Sequence, residues 1–310
     1  MNVSEGFAPF RGYRTWYRIV GDGEDEGKLP VVYLHGGPGG THDYLESLEA
    51  MAETGRRAIF YDQIGCGKSD LPDDRSLWVV ETFVEELGVV RDHLGLDRIH
   101  LFGSSWGGML AMEYALTQPA GLESLIIASS PSSMRQWVAE ANRLRAQLPA
   151  DVQETLRRHE EAGTTSDPEY EEAAEVFYKR HVCRADPWPD YVLRSFQFIA
   201  EHGVVYKTMN GPSEFHVVGT LKDWDITPRL GGIRVPTLVI TGEHDEATPE
   251  INRTVSGAIP DAESVIYPGA SHMAHVEDPD GYMGALDDFL TRVEARLAGV
   301  SHAAARAANH

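Results

Sequence analysis

At 310 residues, 42% hydrophobic and 24% charged, the chain has the composition of an ordinary globular protein, long enough for one large α/β domain or two smaller ones. A formal charge of -21 argues against a nucleic-acid partner and against an anionic membrane surface, since both would repel it. Two cysteines, Cys66 and Cys183, are too few for a disulfide framework and lack the companions of a zinc site; no apolar run reaches membrane-spanning length and residues 1–6 lack a basic leader start, so a cytoplasmic protein is expected.

In chain order, Tyr13, Trp16, Tyr17 and Ile19 give residues 12–20 the character of a strand, ended by an acidic turn over 21–27. Residues 31–34 form a continuous apolar run, as in a strand buried on both faces, and empty into His35-Gly36-Gly37-Pro38-Gly39-Gly40. A helix over 44–53, a buried strand over 58–61 and a second glycine-rich turn over 62–70 follow. Phe83, Leu87, Val90 and Leu94 recur at helical spacing and lead to a strand over 99–104. That strand meets Gly103-Ser104-Ser105-Trp106-Gly107, and a helix is expected from 109 to 116. Strand, tight turn and helix around a central serine make a nucleophile elbow, in which small neighbours such as Gly103 and Gly107 let strand and helix approach.

After a strand over 122–128 the pattern changes. Residues 131–232 are mostly polar and helical, with helices expected over 137–148, 151–161, 170–183 and 191–202, and no strand of the main sheet. They read as an inserted helical cap. The core is then residues 1–130 and 233–300, with strands over 235–241 and 264–267 and a closing amphipathic helix over 282–297. Residues 301–310, rich in Ala and His, are expected to form a disordered tail.

A serine hydroxyl needs a base within hydrogen-bond reach, and the base needs an orienting carboxylate. In parallel sheets the working residues sit on loops at the carboxyl ends of strands, and two such loops after Ser105 offer Asp245 and His272. The order Ser, Asp, His is that of α/β-hydrolases. His275 competes with His272, which is preferred as nearer the strand end, and Glu243 is a minor alternative to Asp245.

The chain resembles the prolyl aminopeptidase (proline iminopeptidase) family of α/β-hydrolase serine peptidases. The motifs that carry the resemblance are His35-Gly36-Gly37-Pro38-Gly39, Asp62-Gln63-x-Gly65-Cys66-Gly67-x-Ser69, Gly103-x-Ser105-Trp106-Gly107-Gly108, Gly242-x-x-Asp245 and Ser271-His272-Met273-Ala274-His275, in register from about 30 to 290. The resemblance implies an oxyanion hole from the backbone N–H groups of Gly37 and Trp106, with a side chain at 37 blocking the approach. The cap stretches 209–215 and 219–225 resemble the microbial branch of the family, which implies that Glu214, with Glu246 as a second acid, captures the free α-amino group of the substrate. The expected activity is release of an N-terminal residue, preferably proline, from peptides through an acyl-enzyme, with no metal or organic cofactor. An amino-acid amidase or aminoacyl esterase with the same triad and amine clamp is the alternative. Trp137, Phe196, Phe198, Tyr206, Phe215 and Trp224 offer walls for a proline ring or simply a core for the cap.

Overall fold

A computed structural model describes residues 1–308, with side chains to residue 299. Eight strands, β1 (Val3–Phe10), β2 (Tyr13–Val20), β3 (Val31–Leu34), β4 (Ala58–Tyr61), β5 (Ile99–Ser104), β6 (Leu122–Ala128), β7 (Thr237–Gly242) and β8 (Ala262–Tyr267), join in one sheet in the order β1-β2-β4-β3-β5-β6-β7-β8. The first two pairings, β1 with β2 and β2 with β4, are antiparallel and the rest are parallel. This is the α/β-hydrolase arrangement expected from the sequence.

The central strands are buried throughout, so alternate residues feed two separate cores. Val32, Leu34, Ile59, Leu101, Leu125 and Val239 face one side, where α1 (Val80–His93), α2 (Trp106–Leu116) and α8 (Pro249–Ala258) pack. Val31, Tyr33, Phe60, Phe102, Ile126 and Leu238 face the other, covered by a 3₁₀ segment, His42–Thr54, and by α10 (Pro279–Ala308). The helix expected over 44–53 is therefore a 3₁₀ run, closed by Gly55 in the left-handed region. The backbone of residues 301–308 is described as the end of α10, and the rest of the tail expectation lies outside the described residues.

Between β6 and β7 the chain runs through α3 (Met134–Arg145), α4 (Ala150–Ala162), α5 (Pro168–His181), α6 (Asp190–His202) and α7 (Val204–Met209). The first three, with Phe215, enclose a small core of their own around Leu144, Leu156, Tyr170 and Phe177. Short α9 (Ala274–Glu277) follows β8. Strand β1 lay outside the sequence expectation: it is an edge strand in which only Ala8 and Phe10 are buried, so its hydrophobic signal is slight.

Candidate active site

Ser105 stands between β5 and α2 with φ 56 and ψ -123, a region that residues with a Cβ seldom occupy. The glycines around it make the turn possible. A Cβ on Gly103 would lie 2.1 Å from Gly107 O, and one on Gly107 would lie 2.2 Å from Leu34 O, so neither strand nor helix could close on the other with larger residues. This is also why α2 begins at Trp106 and not at 109: Gly107 and Gly108 read as turn residues but serve as the contact face of the helix's first turn.

Asp245 and His272 come together on the loops after β7 and β8. Nδ1 of His272 donates to Asp245 Oδ1 at 2.8 Å. The same carboxylate accepts from Ala247 N at 2.7 Å and from Thr241 Oγ1 at 2.7 Å, which fixes its plane. Burial pulls the His272 imidazole down, but the charges of Asp245, Glu214 and Glu277 outweigh it and hold the pKa above the usual value. His272 bonds Asp245 but not Ser105 Oγ, and catalytic hydrogen bonds of this kind often tighten only in the substrate complex. The ring packs edge-on to Trp137, with centroids 6.3 Å apart, and Trp137 lines the cleft into which Ser105 opens. The competitors lie elsewhere. His275 is buried, bonds Ser47 Oγ through Nδ1 at 3.0 Å, and burial depresses its pKa to about 3. Glu243 accepts from Gly269 N and is exposed.

The helical segment between β6 and β7 anchors both loops. The carbonyl of His181, last residue of α5, accepts from Glu246 N and from His272 N, each at 3.2 Å, and the His181 ring bonds His244 O at 2.8 Å.

On the opposite side of the serine, the peptide groups around Gly36 are pinned. Gly36 N donates to Tyr44 Oη at 2.8 Å, while Gly36 O accepts from Gly40 N at 3.2 Å and from His35 Nδ1 at 3.0 Å. In a trans peptide the N–H lies antiparallel to the C=O, so pinning Gly36 O fixes the direction of the Gly37 N–H. Gly37, Ser105 and Trp106 line the same cleft. Trp106 N is at the first helical position, where no intrahelical acceptor exists. A Cβ on Gly37 (φ 118) would also strike Gly39 N and Gly40 N, so that glycine is required for the closure of its own loop as well. The glycine that meets the nucleophile is Gly36, whose Cβ would lie 2.9 Å from Ser105 Cβ.

Glu214 lines the cleft as well, and Tyr206 Oη donates to its Oε1 at 2.6 Å. Glu246 is buried, with Oε1 3.7 Å from His272 Nδ1 and Oε2 without a hydrogen-bond partner. Burial raises both carboxyl pKa values, and for Glu246 the negative charges of Glu214 and Asp245 add to it. The charge of Glu214 is felt by the Glu246 carboxyl, which places the two acids near each other. Tyr206 is expected from the sequence to be either an aromatic wall or a core residue; its hydroxyl holds Glu214 in place. Trp137 also lines the cleft, whereas Phe215 belongs to the small core of α3–α5 and Trp224 bonds Glu113.

The sequence profile of the alpha/beta hydrolase fold family matches residues 30–279. A proline iminopeptidase of Lactobacillus helveticus is 41% identical over 296 residues, covering 94% of this chain and 98% of its own. The chain belongs to the proline iminopeptidase family. Among solved structures, a proline iminopeptidase from Mycobacterium smegmatis superposes with a TM-score of 0.89 at 45% identity, covering 95% of this chain and 100% of its own. VinJ superposes with a TM-score of 0.91, also at 45% identity, over 94% of this chain and 99% of its own. Membership of this family makes the chain a serine hydrolase of the α/β-hydrolase fold. Among the described residues no helix is long and apolar enough to cross a membrane.

Proposed function

We propose that the protein is a prolyl aminopeptidase that removes an N-terminal residue, preferably proline, from peptides. Ser105 Oγ attacks the first carbonyl carbon, Nε2 of His272 takes the hydroxyl proton and passes it to the leaving amine, and Asp245 keeps the imidazole in the tautomer with Nδ1 protonated. The N–H groups of Gly37 and Trp106 receive the oxyanion, each worth about 3 kcal/mol of barrier. Water, activated by the same His272, releases the amino acid from the acyl-enzyme. Glu214 and Glu246 hold the substrate ammonium. In this scheme the side chains suffice without a metal or organic cofactor, and the cytoplasm is the proposed place of action, where Cys66 and Cys183, both buried and unpaired, stay reduced.

The observation that carries the reading is Glu214 in the wall of the Ser105 cleft, with Glu246 beside the base. A carboxylate pair at that place selects substrates by a free terminal amine and disfavours internal peptide bonds, which present none. The test is hydrolysis of Pro, Ala, Leu and Phe arylamides, each with a free and an acetylated amine, alongside Ser105→Ala. Fastest cleavage of the free Pro-arylamide, none of the acetylated series and an inert variant are expected. Equal cleavage of blocked substrates or simple esters would replace this reading with a general amidase or esterase on the same scaffold.

A further inference from the structure

We infer that Gln63 is a positioning residue that ties the two halves of the oxyanion hole together. The inference rests on the assignment of Gly37 and Trp106 as oxyanion donors. Gln63 follows β4 in the second glycine-rich turn and is fully buried. Its side-chain amide reaches in two directions. Nε2 donates to His35 O at 2.9 Å, at the root of the loop that carries Gly37, and Oε1 accepts from the indole Nε1 of Trp106 at 2.8 Å. The backbone of Gln63 joins the same set, since its N–H donates to His35 Nε2 at 3.0 Å.

The orientation of the amide is forced. An indole N–H can only donate and a backbone carbonyl can only accept, so the flipped amide would face both partners wrongly. His35 is likewise committed to one neutral tautomer, with Nε2 accepting from Gln63 and Nδ1 donating to Gly36 O. From Gln63, therefore, one rigid path leads through His35 to the Gly36 carbonyl, which sets the direction of the Gly37 N–H. The other leads through the Trp106 side chain to the first residue of α2, whose N–H is the second donor. Two donors on separate chain segments must both point at one oxygen to within a fraction of an ångström, and displacements near 1 Å cost about a hundredfold in rate. The Gln63 side chain bonds both segments.

The test uses Gln63→Met and Gln63→Glu in the full-length enzyme with the free-amine arylamide. Gln63→Met removes both bonds at similar volume. Gln63→Glu keeps an acceptor for Trp106 and, while its carboxyl is protonated, a donor for His35 O; once ionised it sets oxygen against oxygen. The titratable groups nearby include His35, bonded through both nitrogens, Asp62, which accepts from the His42 backbone and ring, Glu86, which accepts from Ile64 N, and the buried Cys66, whose N–H donates to Gln63 O. Expected for Gln63→Met is a 10- to 100-fold lower kcat at every pH, with KM and product inhibition by the free amino acid within threefold of wild type. An aminoacyl aldehyde, whose adduct with serine carries the oxyanion, should lose affinity by the same factor as kcat. Gln63→Glu should retain most of wild-type kcat at the acid end of the active range and lose it with rising pH, adding an alkaline limb that wild type lacks. Unchanged kcat in Gln63→Met, or equal losses in kcat and product affinity, would overturn the inference, as would a pH profile of Gln63→Glu parallel to wild type. If Gln63→Met does not fold, the pH profile of Gln63→Glu decides alone. A wild-type enzyme inert on every arylamide and ester would instead remove the proposed function, which separates the two failures.

Discussion

Glu246 Oε1 lies 3.7 Å from Nδ1 of His272, the nitrogen that also donates to Asp245. The acid proposed to hold the substrate ammonium thus stands beside the proposed general base, and the charge of Glu214, in the cleft wall, raises the imidazole pKa. Amine recognition and proton transfer share one field.

The first consequence is a pH profile. Hydrolysis needs neutral His272, and its pKa is held above the ordinary imidazole value of about 6.5, so kcat/KM should rise with pH along a limb centred above that value. Glu214→Gln removes one of the charges that raise it and should move the limb to lower pH. An unmoved limb, read from kcat/KM between pH 5 and 9, would refute the coupling.

Glu246→Gln separates binding from stability. Loss of a charge-assisted bond of about 1.5–3 kcal/mol should raise KM for the free-amine substrate roughly 10- to 100-fold, with kcat changed far less. Burial and the neighbouring acids hold the Glu246 carboxyl pKa well above its unfolded value. The stability tied to that raised pKa is present in acid and lost as pH rises. The variant, with no carboxyl to ionise, should therefore melt at or above the wild-type temperature at pH 8. A lower melting temperature there, or an unchanged KM, would count against the amine-site assignment.

Gly36→Ala tests the packing against the nucleophile. Its Cβ would lie 2.9 Å from both Ser105 Cβ and Tyr44 Oη and 3.0 Å from Ser104 O, so the serine or the loop must shift. A loss of about 1–3 kcal/mol in stability and at least about tenfold in kcat is expected. Gly88→Ala, in α1 with nothing within 4 Å of the added Cβ, is the control and should gain roughly 0.5–1 kcal/mol in a urea melt.

Glu86 offers a prediction away from the chemistry. Its Oε1 accepts from Thr15 Oγ1 at 2.5 Å and from Ile64 N at 2.8 Å, Oε2 has no partner, and burial pushes the carboxyl up to about 8. The folded pKa is raised, so the stability it contributes is full below the unfolded value near 4.5 and is lost as pH climbs through about 8. The loss is on the order of a few kcal/mol. Glu86→Gln should flatten the decline in unfolding free energy between pH 5 and 9; a decline equal to wild type would mean the carboxyl is ionised throughout.

The elbow was legible because its chemistry demands glycines at fixed offsets and its strands are uniformly apolar; β3, β4 and β6 fall where the apolar runs at 31–34, 58–61 and 122–128 place them. The Asp245–His272 contact followed from strand order alone, without knowledge of any distance. What sequence could not carry were the partners that act through one polar atom. Gln63 stood inside a quoted motif without a role, because two hydrogen bonds to segments some 28 and 43 residues away leave no local pattern. Tyr206 was one aromatic among six for the same reason. Gly36 and Gly37 look alike in a glycine run, and only the surrounding atoms distinguish the one that borders the serine from the one that closes the loop.

The His181 carbonyl that receives both Glu246 N and His272 N alters what the segment between β6 and β7 means for the enzyme. In a diagram of strand order that segment is an excursion, and β6 and β7 remain paired neighbours if it is cut away. Mechanically it is a brace, because the loops bearing the base and its carboxylate would lose their common anchor together. Grafting a foreign segment onto this sheet to change specificity would therefore transplant part of the catalytic frame, and the graft would have to supply a carbonyl where that of His181 stands.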